Sequence, residues 1–216
     1  MHPLALSLYV AGCATVLAGV IGVAVGAVLA TRRFFGRELL DALTAAPLVL
    51  PPTVLGYYLL LLLGRRGAFG RAFEALTHGP LVFTRTAAVI AATLGALPFV
   101  VAATRSAIEA VDPSLPAVAR TLGASPLRAL LTIQLPLARA GIVAGLLLGF
   151  ARSLGDFGVT LMVAGDLPGE TQTASLAIYD ALQAGRDGDA RTLALTLTLV
   201  ALGLMIAVRR LERRWR

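Results

Sequence analysis

The chain has 216 residues, 57% of them hydrophobic and 14% charged, with a mean hydropathy of +0.82; soluble domains carry about 25% charged residues, so an ordinary cytosolic enzyme and a disordered tail are both excluded. One cysteine (Cys13) excludes a disulfide framework and a Cys-based zinc site, and two histidines (His2, His78) leave little for metal or acid–base chemistry. The net charge is +7 and every basic residue is arginine, which in so apolar a chain points to a membrane with one basic face rather than to nucleic acid.

A membrane-crossing helix needs about 20 mainly apolar residues. Five stretches qualify: 4–30, 42–64, 86–104, 140–165 and 192–208. The sequence therefore predicts an all-α membrane protein of five spans in one domain, 1–216. The first stretch lacks a basic flank and is long for a signal-peptide core, so it reads as a retained span. It carries Gly22 and Gly26, a small-xxx-small pair that lets helices approach closely. The second carries Pro47, Pro51 and Pro52, so it must kink or start late. With an odd number of spans the ends lie on opposite faces. The arginines favour an outer N-terminus and a cytoplasmic C-terminus. On that reading Arg32, Arg33, Arg37, Arg105, Arg120, Arg128, Arg139, Arg209, Arg210, Arg213, Arg214 and Arg216 are inside, against Arg65, Arg66, Arg71, Arg85, Arg186 and Arg191 outside.

The segment 105–139 is too long for a turn and too apolar for a floppy linker. Asp112-Pro113-Ser114 reads as a turn and helix start. The stretch 116–122 reads as a short helix ended by Gly123. Ser125-Pro126 reads as an N-cap with proline in the first turn, opening a second helix to about Ile133, with Pro136 breaking the pattern. In the fourth span Arg152 and Asp156 are spaced i, i+4 on one face. Charges in a membrane are costly, so they face the bundle or pair. Two readings stand: a functional charge that helps an anion, with Ser153 and Thr160 nearby, or a mutual brace of the bundle, and the brace is the favoured one. Pro51, Pro52, Thr53, Arg152, Ser153, Gly155, Asp156 and Thr160 are the candidates should the bundle enclose a pathway or gate, with Thr53, Ser153, Thr160 and the backbone around Pro51 and Gly155 as weak donors.

Ala117-Val118-Ala119, three residues, Gly123, nine residues, then Ile133-Gln134-Leu135-Pro136 resembles the EAA loop of ABC importer permeases, with Ala117 where that family carries glutamate. Leu50-Pro51-Pro52-Thr53-Val54-Leu55-Gly56-Tyr57, Phe150 to Gly158 and Leu167-Pro168-Gly169-Glu170-Thr171-Gln172-Thr173 are similar to the molybdate branch. Sulfate permeases are less similar at Pro-Gly-Glu-Thr. The resemblance implies a type I permease fold, like the molybdate and methionine permeases, with cytoplasmic coupling helices. It implies docking to an ATPase through Ala117, Ala119, Arg120, Thr121, Leu122, Gly123, Ala124, Ser125, Arg128, Ile133, Leu135 and Pro136. It implies a homodimer in the cell (inner) membrane, two ATPase subunits binding ATP and magnesium, and a periplasmic or lipid-anchored molybdate-binding protein that Glu170 meets. The chain itself would be a transport subunit without cofactor, metal or catalytic residue, importing molybdate or the nearly isosteric tungstate. Consistent with that, it has no G-x-x-x-x-G-K-[ST] phosphate loop. The arginine pairs near the C-terminus would hold lipid headgroups. A sulfate permease, a secondary oxyanion transporter or channel, and a membrane scaffold are the competing expectations.

Overall fold

The structure, a computed structural model, describes residues 2–213. The expected headgroup contacts of Arg209, Arg213 and Arg214, and the place of Arg216, lie outside the described residues and side chains. The described elements are all helical: α1 (Pro3–Thr31), α2 (Arg37–Val49), α3 (Pro52–Leu63), α4 (Ala68–Thr77), α5 (Arg85–Glu109), α6 (Ser114–Thr121) and α7 (Pro126–Ala129). A π-helical turn (Leu130–Gln134) leads into α8 (Leu135–Leu154), followed by α9 (Gly158–Ala164), α10 (Ala174–Gln183) and α11 (Asp187–Arg213). Four helical stretches are long and apolar enough to cross a membrane: Pro3–Thr31, Arg85–Glu109, Pro126–Leu154 and Asp187–Ile206. The bent pair α2–α3 makes a fifth if it is one span.

Helix α5 is the axis of the bundle, packed between α1 and α8. Lipid tails are as apolar as leucine, so membrane helices associate by close van der Waals fit. Small residues provide that fit on both sides of α5. A β-carbon on Gly22 or Gly26 of α1 would lie 2.9 Å from Val100 and 2.8 Å from Thr104. On α8, Gly141, Gly145 and Gly149 repeat every four residues against Ala107, Ala103 and Ala96 of α5. The expected Gly22/Gly26 pair is thus a helix-packing surface.

Span two is broken where two consecutive residues precede proline. That position disfavours the helical region. Leu50 (ψ 137°) and Pro51 (ψ 141°) are both extended, and α3 restarts at Pro52 with its axis turned 118° from α2. Pro47 stays inside α2. The stretch expected as span four is interrupted too: α8 stops at Leu154, residues 155–157 are non-helical, and α9 follows.

At the end of the bundle away from segment 105–139, loops are tied down by backbone bonds. Phe83, at φ +60°, donates its N–H to the Val163 carbonyl at 2.9 Å. The Arg85 guanidinium donates to the carbonyls of Glu170 (3.0 Å) and Gly169 (3.2 Å), and Ser7 Oγ accepts the first N–H of α10, from Ala174, at 2.8 Å.

Candidate functional site

The segment between α5 and α8 is built by capping chemistry. The Asp112 carboxylate accepts the Ser114 N–H at 2.9 Å; that bond, and after it the Ser114 hydroxyl, hold its carboxyl below the ordinary value. Helix α6 closes in a Schellman motif. Gly123 sits at φ +92°, Ala124 N–H bonds to Ala119 O at 3.0 Å, and Gly123 N–H bonds to Arg120 O at 3.1 Å. Ser125 then caps α7, its Oγ accepting the Arg128 N–H at 3.3 Å, with Pro126 in the first turn. No residue of α6 is buried; Val118 is 56% and Leu122 is 83% exposed. Ala117, Arg120, Thr121, Gly123, Ser125 and Arg128 are also exposed, Ala119 and Ala124 half-buried. The expected coupling residues up to Arg128 thus form one presented helix–turn–helix start.

The second helix differs from its expected form. It does not end near Ile133, and Pro136 does not break it. It runs unbroken from Pro126 to Leu154, a stretch of 29 residues. A proline ring in a regular helix clashes with the carbonyl four residues back. Here the π turn absorbs the conflict: Leu135 N–H reaches Leu130 O five residues back, so the helix is wider where Pro136 enters. Ile133, Leu135 and Pro136 therefore lie on the base of a transmembrane helix, not in a loop.

The two helix breaks meet. A β-carbon on Gly158, at the start of α9, would lie 2.8 Å from Pro52 Cβ, and one on Gly56 would lie 2.8 Å from Met162 Sδ. Pro51, Pro52 and Thr53 are exposed, as is Gly155. Arg152 and Asp156 pair at 2.8 Å; the Arg152 side chain is 33% and that of Asp156 3% exposed. The second Asp156 oxygen accepts the Thr160 hydroxyl at 2.5 Å and the Thr160 N–H at 3.2 Å. Asp156 thus bridges the end of α8 to the start of α9, where a carboxylate also complements the helix dipole. Ser153 donates to the Ala92 carbonyl of α5 at 3.1 Å. Both hydroxyls expected to offer weak donors, Ser153 and Thr160, are buried and committed to internal acceptors. The Arg152 guanidinium lies over Gly95 of α5, where a β-carbon would come within 3.5 Å of Cζ.

One charged cluster was not anticipated. Arg105 of α5 pairs with Asp41 of α2 at 2.6 Å and with Glu109 at 2.9 Å. Arg37 reaches Glu109 at 3.7 Å and donates to the Leu29 carbonyl of α1 at 2.8 and 3.0 Å. The network ties α1, α2 and α5 together at the start of segment 105–139, whose first residues continue α5 to Glu109. Only its i, i+4 half, Arg105 and Glu109, carries a sequence signal.

Residues 5–216 match the family described as binding-protein-dependent transport system inner membrane component. The chain belongs to this family. The inner membrane component is 40% identical over 204 residues to the molybdenum transport system permease protein ModB of Escherichia coli, covering 94% of this chain and 89% of that one. It is 32% identical over 209 residues to the sulfate transport system permease protein CysT of Salmonella typhimurium, covering 97% and 75%. Its fold is similar to that of a chain in the MetNI methionine ABC transporter in inward-facing conformations, with a TM-score of 0.77, 18% identity, and coverage of 97% and 92%. The inner membrane component is thus a permease subunit with an ABC importer fold, an integral membrane protein and not an enzyme.

Proposed function

We propose that this inner membrane component carries molybdate, with tungstate as a nearly isosteric second cargo, through an ATP-driven importer. The observation that carries the coupling part is the exposed, capped α6–Gly123–Ser125 segment, continuous through α7 and α8 with the break at 155–157. A push on the segment is delivered to the meeting point of the two broken spans. The cargo assignment rests on the greater identity to the molybdenum permease than to the sulfate permease. A family of binding-protein-dependent systems argues against a self-sufficient secondary transporter and against a passive scaffold.

In this reading two copies surround a pathway on their two-fold axis. Two ATPase subunits, holding ATP and magnesium, dock on Ala117 to Arg128 of each copy. A binding protein delivers cargo at the opposite face, where Glu170 lies. The N-terminus is outside and the C-terminus cytoplasmic, as the arginine distribution favours. ATP-driven closure brings the two α6 helices together and reorients the breaks at Pro51 and Gly155. Arg152 and Asp156 brace the gate, while Thr53 and the backbone at Pro51 and Gly155 meet the oxyanion weakly enough to release it. A cargo shifts this equilibrium only by its differential affinity for the two states.

Vesicles holding this chain with its ATPase and binding protein test the proposal. ATP-dependent uptake of labelled molybdate, competed by unlabelled molybdate and tungstate and little by sulfate, is expected. Preferential competition by sulfate overturns the cargo assignment, and uptake that persists without the ATPase overturns the mechanism.

A further inference from the structure

We propose that the cleft between the end of α1 and the α6–α7 segment is a binding site for one anionic phospholipid. The cleft has a volume of about 740 Å³, within the range of roughly 300–1,000 Å³ usual for ligand sites. Its floor is Val23, Ala24, Ala27 and Val28 of α1, and its mouth carries Arg32 and Arg120. Val23 lies nine residues before Arg32, so the floor reaches about 13 Å below the arginine, inside the span. An apolar floor at bilayer depth, with Thr31 and Gln134 on the walls above it and a cationic mouth, matches an acyl chain below a polar, phosphate-bearing headgroup.

Charge separates this cleft from its neighbour. The cleft between α2 and α5 holds Arg105 together with Asp41 and Glu109, which neutralise it. No carboxylate lines the α1–α6 cleft, and among the described residues neither Arg32 nor Arg120 has an acidic partner. The two guanidiniums therefore complement an anionic group.

Helix α6 presents two faces. Pro113, at its N-cap, with Pro116, Ala117 and Arg120 of the helix, spaced three and four residues apart, turns to the cleft. Leu115, Val118 and Leu122 are exposed on another side. Within the 117–128 docking segment, a soluble subunit still has Val118, Leu122 and the exposed turn to Arg128, and it cannot follow the cleft, which Ala117 and Arg120 face, to bilayer depth. A lipid in the cleft would seat α6 against α1.

The test uses the complete transporter with its ATPase in nanodiscs of phosphatidylcholine containing a minor fraction of phosphatidylglycerol. A photoreactive residue replaces Ala24, and adducts are identified by mass. The expected product is a phospholipid adduct enriched in phosphatidylglycerol. Arg32→Gln lowers that enrichment about fivefold while Arg32→Lys retains it, since each basic residue near the surface adds a comparable increment of attraction for anionic lipid. Adducts to the ATPase or to a second copy of this chain overturn the proposal. So does equal labelling of both lipids, or enrichment that survives Arg32→Gln. Loss of the adduct on adding inorganic phosphate alone assigns the site to a free anion and also overturns it.

Discussion

Pro52 of α3 rests directly on Gly158 of α9: a β-carbon at 158 would stand 2.8 Å from Pro52 Cβ. Each residue begins a helix after a break, so one contact registers the two interrupted spans against each other. The proline ring cannot rotate away. Gly158→Ala is expected to cost about 1 kcal/mol, the low end for overpacking because Pro52 is exposed and Gly158 half-buried. Thermal unfolding of the purified protein measures it. In a double-mutant cycle with Pro52→Gly, which removes the opposing Cβ, the two changes should cost less together than the sum of each alone, and strict additivity would show that the contact is not the cause.

Arg152→Met should destabilise more than Arg152→Lys. The methionine leaves the Asp156 carboxylate, 3% exposed, with only the Thr160 donors. Breaking a buried pair costs about 3–5 kcal/mol, and the partial exposure of Arg152 places the expected loss at the lower end. A melting curve of each variant in the same detergent compares them; equal melting would remove the brace from the account.

At Gly123 the constraint is conformational and not spatial. Its φ is +92°, and a β-carbon there meets nothing within 4 Å. Asparagine tolerates the left-handed region better than valine does. Gly123→Asn should keep most ATPase co-purification and Gly123→Val should lose it. Ser125→Ala removes the α7 cap, worth about 1 kcal/mol, and should weaken assembly to an intermediate degree. Co-purification that is indifferent to all three changes would detach α6 from the coupling role.

The Asp41–Arg105 pair is half-exposed on the carboxylate side and 28% exposed on the arginine side. A double-mutant cycle with Asp41→Asn and Arg105→Gln should give a coupling of about 0.2–1 kcal/mol, smaller at high salt. Denaturant or heat titrations at two ionic strengths read it. A coupling unaffected by salt would mean that the pair is more enclosed than its exposure indicates.

What could be read in the sequence follows the range of the interactions. The α6 stop at Gly123 and the Ser125 cap are local chemistry, complete within five residues, and were legible. The break at Leu50–Pro51 was legible as well, because pre-proline sterics act on the preceding residue alone. Its 118° angle was not, since it depends on α3 packing against α9. Pro136 was misread for a related reason: a proline rule assumes a regular helix, and the π turn two residues earlier removes the clash. The Asp41–Arg105 pair joins residues 64 apart, beyond any periodicity. Ser153 and Thr160 lie beside Arg152 and Asp156, as their spacing indicates, but their hydroxyl partners, Ala92 O and Asp156, come from tertiary packing and from the turn between α8 and α9.

The unbroken run from Pro126 to Leu154 has a mechanical consequence. At 1.5 Å per residue it is a rod roughly 40 Å long, so a tilt of about ten degrees about one end sweeps the other through about 7 Å. Its proximal end carries the Ser125 cap and its distal end stops one residue short of Gly155. A rod of this kind magnifies angle into distance without bending, and its stiffness makes the timing at both ends simultaneous. The π turn is the one place along it where rotation about the long axis could be taken up, so torsion and tilt reach the break at 155–157 separately.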